Sequence, residues 1–392
     1  MAEVSASLNS RSLPRNKQVT LRELALFFLR LGTTAFGGPA AHVAVMEDEL
    51  VRRRQWLSRE KFLDLLGASN LIPGPSSSEL AIHIGYLCGG WKGLLIAGGC
   101  FIVPATVMVA ALGWMYVHFG KLPATASILY GIKPVVIGVI LQALWNLGRT
   151  AVKTTFLGFV AVFSLCLSVF GLHPLVLLLL AGGLACLPIL RTSRLSVSAL
   201  PSGAIGGGNL AIAASFSLSS LFLVFLKMGA IVFGSGYVLL AYLRDDFVIH
   251  RGWLTDAQLV DSVAVGQVTP GPVFTTATFI GFILGGIRGA FVATIGIFLP
   301  AFLLVAASGF LVPHIRKSKI ASAFLDGVNV ASLALMAAVS WQLGRASLVD
   351  VVTVLLTLAS LVALLRFRLN SAWLVLTGAA IGVMANAHYL RR

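Results

Sequence analysis

Apolar residues gather into twelve runs separated by short polar stretches. Six lie at 21–46, 62–88, 91–117, 126–147, 154–170 and 174–190, and six more at 218–243, 258–284, 287–311, 322–343, 350–366 and 371–388. A helix crossing a ~30 Å hydrocarbon core needs ~20 predominantly apolar residues. Most runs reach that length, and the short ones read as tilted pairs or tight hairpins. The first two runs of each set are interrupted by Gly and Pro: Phe36-Gly37-Gly38-Pro39 and Pro73-Gly74-Pro75, then Phe233-Gly234-Ser235-Gly236 and Pro270-Gly271-Pro272. The pattern predicts an all-α polytopic membrane protein of about ten to twelve membrane elements, some broken or re-entrant.

The two sets are one pattern written twice. Residues 32–75 match 229–272 at an offset of 197, with Arg54-Gln55-Trp56-Leu57 falling on Arg251-Gly252-Trp253-Leu254 and Pro73-Gly74-Pro75 on Pro270-Gly271-Pro272. After one lost residue the offset is 196, placing Gly89-Gly90 on Gly285-Gly286, Pro104-Ala105 on Pro300-Ala301 and Trp145 on Trp341. The expected organisation is a cytoplasmic arm over 1–20, disordered for want of apolar residues. A first repeat over 21–190, a Gly/Pro/Ser-rich linker over 191–217 and a second repeat over 218–392 follow. Paired repeats around a central site are a common plan of secondary transporters. Lys and Arg number five in 47–61 but two in 244–257, and one in 118–125 but three in 312–321. A cationic bias that reverses between halves predicts inverted repeats.

Composition changes the solvent, not the pattern. Hydrophobic residues make up 58% of the 392 and charged residues 11%, against about 25% charged in a soluble domain. The net charge of +15 lies in short clusters between apolar runs, as on cytoplasmic loops, and excludes nucleic acid as a partner. The four cysteines show no metal-ligand spacing. No nucleophile-elbow, zinc-protease or phosphate-loop motif is present, so neither a cofactor nor enzymatic turnover is expected.

The breaks carry the candidate chemistry. Each interrupted run offers a helix N-terminus inside the membrane, with free N–H groups and a partial positive charge that attract an anion. Hydroxyls follow the second break of each half: Ser76 and Ser77 after Pro75, Thr275 and Thr276 after Pro272. Arg30 and its mate Lys227, each six residues before the first break, place matched cations deep in apolar runs. Such cations face a cavity or snorkel to the interface. Glu79 has no acidic mate; it could carry a coupling proton or cap the helix that starts after Pro75. His42 and His83, also unmatched, read as interior histidines, and Lys133, whose mate is Asn329, ranks behind Arg30 and Lys227.

At these residues the chain resembles long, two-domain members of the chromate ion transporter family. The likeness rests on Phe36-Gly37-Gly38-Pro39, Arg52-Arg53-Arg54-Gln55-Trp56 and Asn70-Leu71-Ile72-Pro73-Gly74-Pro75, and on Phe233-Gly234-Ser235-Gly236 and Gln267-Val268-Thr269-Pro270-Gly271-Pro272. The resemblance implies multi-pass insertion in the bacterial inner (plasma) membrane and export of chromate, conferring chromate resistance. Sulfate or another oxyanion, moved with protons, is the alternative. The partners it implies are a chromate or sulfate dianion and the lipid bilayer, with a homodimer left open. The expected site combines Arg30, Lys227, the four breaks and the hydroxyls of Ser76, Ser77, Thr275 and Thr276.

Overall fold

In a computed structural model, residues 19–36, 38–120, 122–192, 216–233, 238–367 and 369–389 are described. The expected arm, apart from 19–20, and the body of the linker, 193–215, lie outside them, as do Gly37, Gly234, Ser235 and Gly236. The described residues form fourteen α-helices and no strand. In the first half these are α1 (Leu21–Thr34), α2 (Gly38–Met46), α3 (Arg59–Ser69), α4 (Ser76–Phe119), α5 (Pro123–Ala151), α6 (Thr155–Val169) and α7 (Pro174–Thr192). The second half repeats them as α8 (Leu218–Ile231), α9 (Leu239–Leu243), α10 (Asp256–Val268), α11 (Thr276–Lys317), α12 (Lys319–Ser347), α13 (Val351–Arg366) and α14 (Ser371–Tyr389).

Local sequence sets the helix starts. Thr20 and Glu23 close a capping box on α1, and Thr255 and Gln258 do so on α10. Ser58, Ser217 and Asp350 cap α3, α8 and α13 through their side chains. These caps satisfy N–H groups that a helix leaves unpaired. Three stretches expected as loops are helical instead, wholly or in part. Glu47–Arg53 and Arg244–His250 continue α2 and α9 as π-helix, and α11 runs to Lys317, leaving Ser318 as the N-cap of α12. Charged residues therefore sit on helical turns where the polar composition had suggested irregular chain.

α4 and α11 are each two limbs joined by a glycine turn. Gly89 and Gly90 have φ/ψ of −141/18° and 58/−145°, and Gly285 and Gly286 repeat them at −141/20° and 59/−150°. Beyond each turn the limbs fold back on themselves. A Cβ on Gly85 would lie 2.4 Å from the Gly93 carbonyl oxygen, and the Thr278 and Thr294 hydroxyls meet at 2.8 Å. The limb 76–88 is only ~20 Å long, too short to cross alone, while the limb 91–119, at ~43 Å, can.

The halves exchange partners. α5 packs on α13 and α14 of the second half, and its mate α12 packs on α6 and α7 of the first. Glycines permit the closeness: a Cβ on Gly131 would lie 1.9 Å from the Gly378 carbonyl oxygen, and one on Gly327 2.4 Å from that of Ala181. Thr357 of α13 donates to the Pro134 carbonyl of α5 at 2.9 Å. α5 and α12 themselves run antiparallel. Lys153 meets Asp326 at one end, Gly148 faces Leu333 further in, and Tyr130 bonds Asp350 at the other end. Both contain candidate membrane spans, Ser127–Ala151 and Lys319–Ser347. Mates that cross in opposite senses make the repeats inverted.

The glycine seam yields a stability test. Gly131→Ala forces backbone away from backbone and should cost about 1–3 kcal/mol as overpacking. Gly344→Ala in α12, where a Cβ meets nothing within 4 Å, should be near neutral. Thermal midpoints of the purified variants in detergent check the contrast.

Candidate functional site

The breaks of the two halves meet through reciprocal backbone hydrogen bonds. α1 ends at Ala35 and α8 at Val232, both extended residues whose carbonyls point out of their helices. The Gly74 N–H donates to the Val232 carbonyl at 2.8 Å, and the Gly271 N–H donates to the Ala35 carbonyl at 3.1 Å. Each bond is the other's image at the offset of 197. Gly74 and Gly271 take φ of 134° and 95°, the region that favours glycine. A Cβ on Gly271 would lie 2.6 Å from the Ala105 side chain. The freed backbone groups at these breaks thus satisfy one another across the interface, as a low-dielectric interior demands.

That closure alters the expected donor set. Two of the N–H groups assigned to an anion are taken by carbonyls. The Thr275 hydroxyl donates to the Pro272 carbonyl at 2.7 Å and that of Thr276 to the Val273 carbonyl at 2.8 Å. Ser77 is paired with His42 Nδ1 at 3.3 Å, while Ser76 is half-buried at the first position of α4. Pro73 is half-buried; Pro75, Pro270 and Pro272 are buried beside their glycines. Gly38, at φ 73°, opens α2 with Pro39 in its first turn. Phe36 and Phe233 are half-buried against the interior. Phe36, Thr269 and Pro270 line an apolar groove of about 590 Å³ with Met108, Leu112 and Trp373.

Glu79 stands apart. It is fully buried and neither carboxyl oxygen has a hydrogen-bond partner. The side chain folds over Gly74, where a Cβ would lie 2.3 Å from Oε1. One turn later His83 places Nδ1 3.0 Å from the Glu79 carbonyl and 3.2 Å from the Ser69 hydroxyl. Its Nε2 lies 2.9 Å from Ser308 of α11, in the other half. His42 likewise bridges, from Ser77 to the Ala35 carbonyl at 3.1 Å.

The matched cations come with matched acids. Lys227 Nζ lies 2.6 Å and 2.9 Å from the carboxylate oxygens of Asp246, which is buried. Arg30 is exposed and lines a cleft of about 310 Å³ with Asp48, Glu49 and Arg53. Asp48 and Glu49 are the mates of Asp245 and Asp246 at 197. Counting only cations in 47–61 hid this repeat. An anion approaching Lys227 must compete with a carboxylate already in contact. Among the described residues no group of three or more His, Cys, Asp or Glu is placed to hold a metal ion.

Lys133, ranked second from the sequence, places its Nζ 2.9 Å from Asp261, a partner the sequence did not reveal, while Tyr116 donates to the same carboxylate at 2.8 Å. Asp261 thus joins α4 and α5 of the first half to α10 of the second. The unmatched cation inside an apolar run was the available signal.

A double-mutant cycle separates pairing from substrate binding at Lys227. Lys227→Met should destabilise by leaving Asp246 buried and unpaired, and adding Asp246→Asn should recover most of the loss. A coupling energy of about 1–3 kcal/mol is expected from thermal or denaturant unfolding in detergent.

The comparisons with known proteins agree with this architecture. The family model described as chromate transporter matches residues 22–187 and again 219–383. The chain is 35% identical to the chromate transport protein of Cupriavidus metallidurans over 93% of both chains. It is 33% identical to a probable chromate transport protein of Synechococcus elongatus over 93% of this chain and 95% of that one. The uncharacterized transporter YwrA of Bacillus subtilis, 29% identical, aligns over 94% of its own length but 41% of this chain. No solved structure matches significantly. The chain is a multi-pass membrane protein of the chromate transporter family.

Proposed function

We propose that the protein exports chromate from the cytoplasm across the bacterial inner membrane, without chemical turnover, and so confers chromate resistance. The observation that carries this reading is the reciprocal pinning of the breaks, Gly74 to Val232 and Gly271 to Ala35. It gathers irregular backbone from both inverted halves at one interface, which is where transporters of this plan bind substrate. Opening those two bonds would release the N–H groups of Gly74 and Gly271 toward an oxyanion, with Ser76, Ser77, Thr275 and Thr276 close by. Phe36, Gly37, Gly38, Pro39, Phe233, Gly234, Ser235 and Gly236 complete the proposed surround, and Pro73, Pro75, Pro270 and Pro272 hold its shape. Arg30 and Lys227 supply positive potential from the flanks. The names of the relatives support chromate as the solute.

Energetics favour the outward direction. A dianion leaving a cell that is negative inside gains about 4.6 kcal/mol per 100 mV. At 1.4 kcal/mol per decade this sustains a gradient of roughly 10³-fold. Uptake would need at least two cations moved with the anion. A proton-coupled form of the reading, with sulfate as the alternative solute, is favoured by the buried, unpartnered Glu79.

Chromate flux into inside-out vesicles, with imposed potential, imposed pH gradient and sulfate competition, tests the reading. Wild type should accumulate chromate on potential alone. Gly271→Ala should lose at least tenfold, because its Cβ strains the pinned conformation. Glu79→Gln should keep potential-driven flux and lose any response to the pH gradient. Flux in wild type that ignores the potential would overturn export as described.

A further inference from the structure

We propose that each end of the α5/α12 pair holds an anion vestibule, that the two open on opposite faces of the membrane, and that a lysine–aspartate pair in each is the gate a tetrahedral dianion displaces. The inference deepens the transport reading above and rests on it.

The two clefts are one feature seen twice. The first, about 200 Å³, is lined by Thr150 and Lys153 from the end of α5 and by Asp326, Asn329 and Ser332 from the start of α12. The second, about 340 Å³, is lined by Tyr130 and Lys133 from the start of α5, Ser347 from the end of α12, and Asp261 of α10. At the offset of 196, Asp326 falls on Tyr130, Asn329 on Lys133 and Ala151 on Ser347. Because α5 and α12 are antiparallel, equivalence puts the clefts at opposite ends. Residues 131 and 150 are about 28 Å apart along α5 at 1.5 Å per residue, close to the ~30 Å hydrocarbon thickness. The first cleft also reaches Asn70, just before Pro73-Gly74-Pro75, and Val238 beyond the break after α8. It therefore leads toward the pinned breaks.

The chemistry at both ends suits a small oxyanion. Ser332 and Ser347 are buried, their hydroxyls have no partner, and both line a cleft. Each cleft contains one ammonium from the first half held by one carboxylate from the second. Lys153 meets Asp326 at 2.7 Å, and Lys133 meets Asp261 at 2.9 Å. Parting the halves at either end breaks that end's pair. The exposed ammonium then forms charge-assisted hydrogen bonds to a dianion, while Asp261 keeps the Tyr116 hydroxyl. The locks are unequal. Side-chain exposures are 23% and 6% for Lys133 and Asp261 against 59% and 27% for Lys153 and Asp326. A buried pair is costly to leave half-made, whereas a rim pair yields easily.

Sided labelling tests the vestibules without any flux. Ser332→Cys and Ser347→Cys are treated with a membrane-impermeant maleimide in right-side-out and inside-out vesicles, with the unmodified chain, which carries four cysteines, as baseline. The two positions should label from opposite faces, and chromate, but not chloride, should slow each at least threefold. Labelling from the same face, labelling of neither, or indifference to chromate would each overturn the proposal. Reciprocal sidedness together with wild type that moves no chromate would count against the transport reading and not against the paired clefts. The gate is tested with Lys133→Gln and with Lys133→Gln/Asp261→Asn, which leaves no unpaired charge. The double variant should raise KM for chromate tenfold or more. Return of KM to the wild-type value in the double variant would make the pair a structural strut and sink the gate.

Discussion

Backbone that leaves a helix inside a bilayer has no water to turn to, so each interruption must find its hydrogen-bond partners within the protein. Here the partners are the corresponding interruptions of the other half. Gly74 gives its N–H to the carbonyl that ends α8, and Gly271 gives its N–H to the carbonyl that ends α1. Neither half closes its own break. This mutual need places each Pro-Gly-Pro turn against the end of the other half's first helix and presses Gly271 onto Ala105. It also sets the buried Glu79, His83 and Ser308 at the seam between repeats. A buried carboxyl without partners beside the pinned breaks is costly for stability.

Much of this was legible in the residues because glycine and proline report on backbone directly. The Gly89-Gly90 and Gly285-Gly286 matches marked two turns whose φ/ψ values agree within a few degrees, and the Pro-Gly-Pro matches marked the junction. The inverted arrangement was legible only through the uneven distribution of Lys and Arg, and the antiparallel α5 and α12 now carry it on geometry. Side-chain partnerships were not legible. Lys227 reads as an isolated cation in its apolar run, and only folding the π-helical segment back brings Asp246 within 2.6 Å. Lys133 and Asp261 are 128 positions apart in the chain and belong to different halves, so no local pattern could pair them.

The electrostatic picture shifts accordingly. The half-buried Lys133 and Lys227 and the exposed Lys153 are not held bare for a ligand; each has a carboxylate within 2.9 Å. A membrane interior penalises unpaired charge of either sign, so positive potential for an anion must be released by movement. The neutral donors of Gly74, Gly271, Ser77, Thr275 and Thr276 obey the same rule, since each already has a partner.

The exchange of helix pairs between halves has a consequence for biosynthesis. The Thr357 hydroxyl and the Pro134 carbonyl are separated by 223 residues. At translation speeds of 5–20 residues per second, α5 would wait about 10 to 45 s before α13 and α14 are made. Throughout that interval its glycine-lined face has only lipid or transient neighbours to cover it. The first repeat is thus born with an unfinished surface, and the order of synthesis, more than the strength of any single contact, decides when the molecule can close.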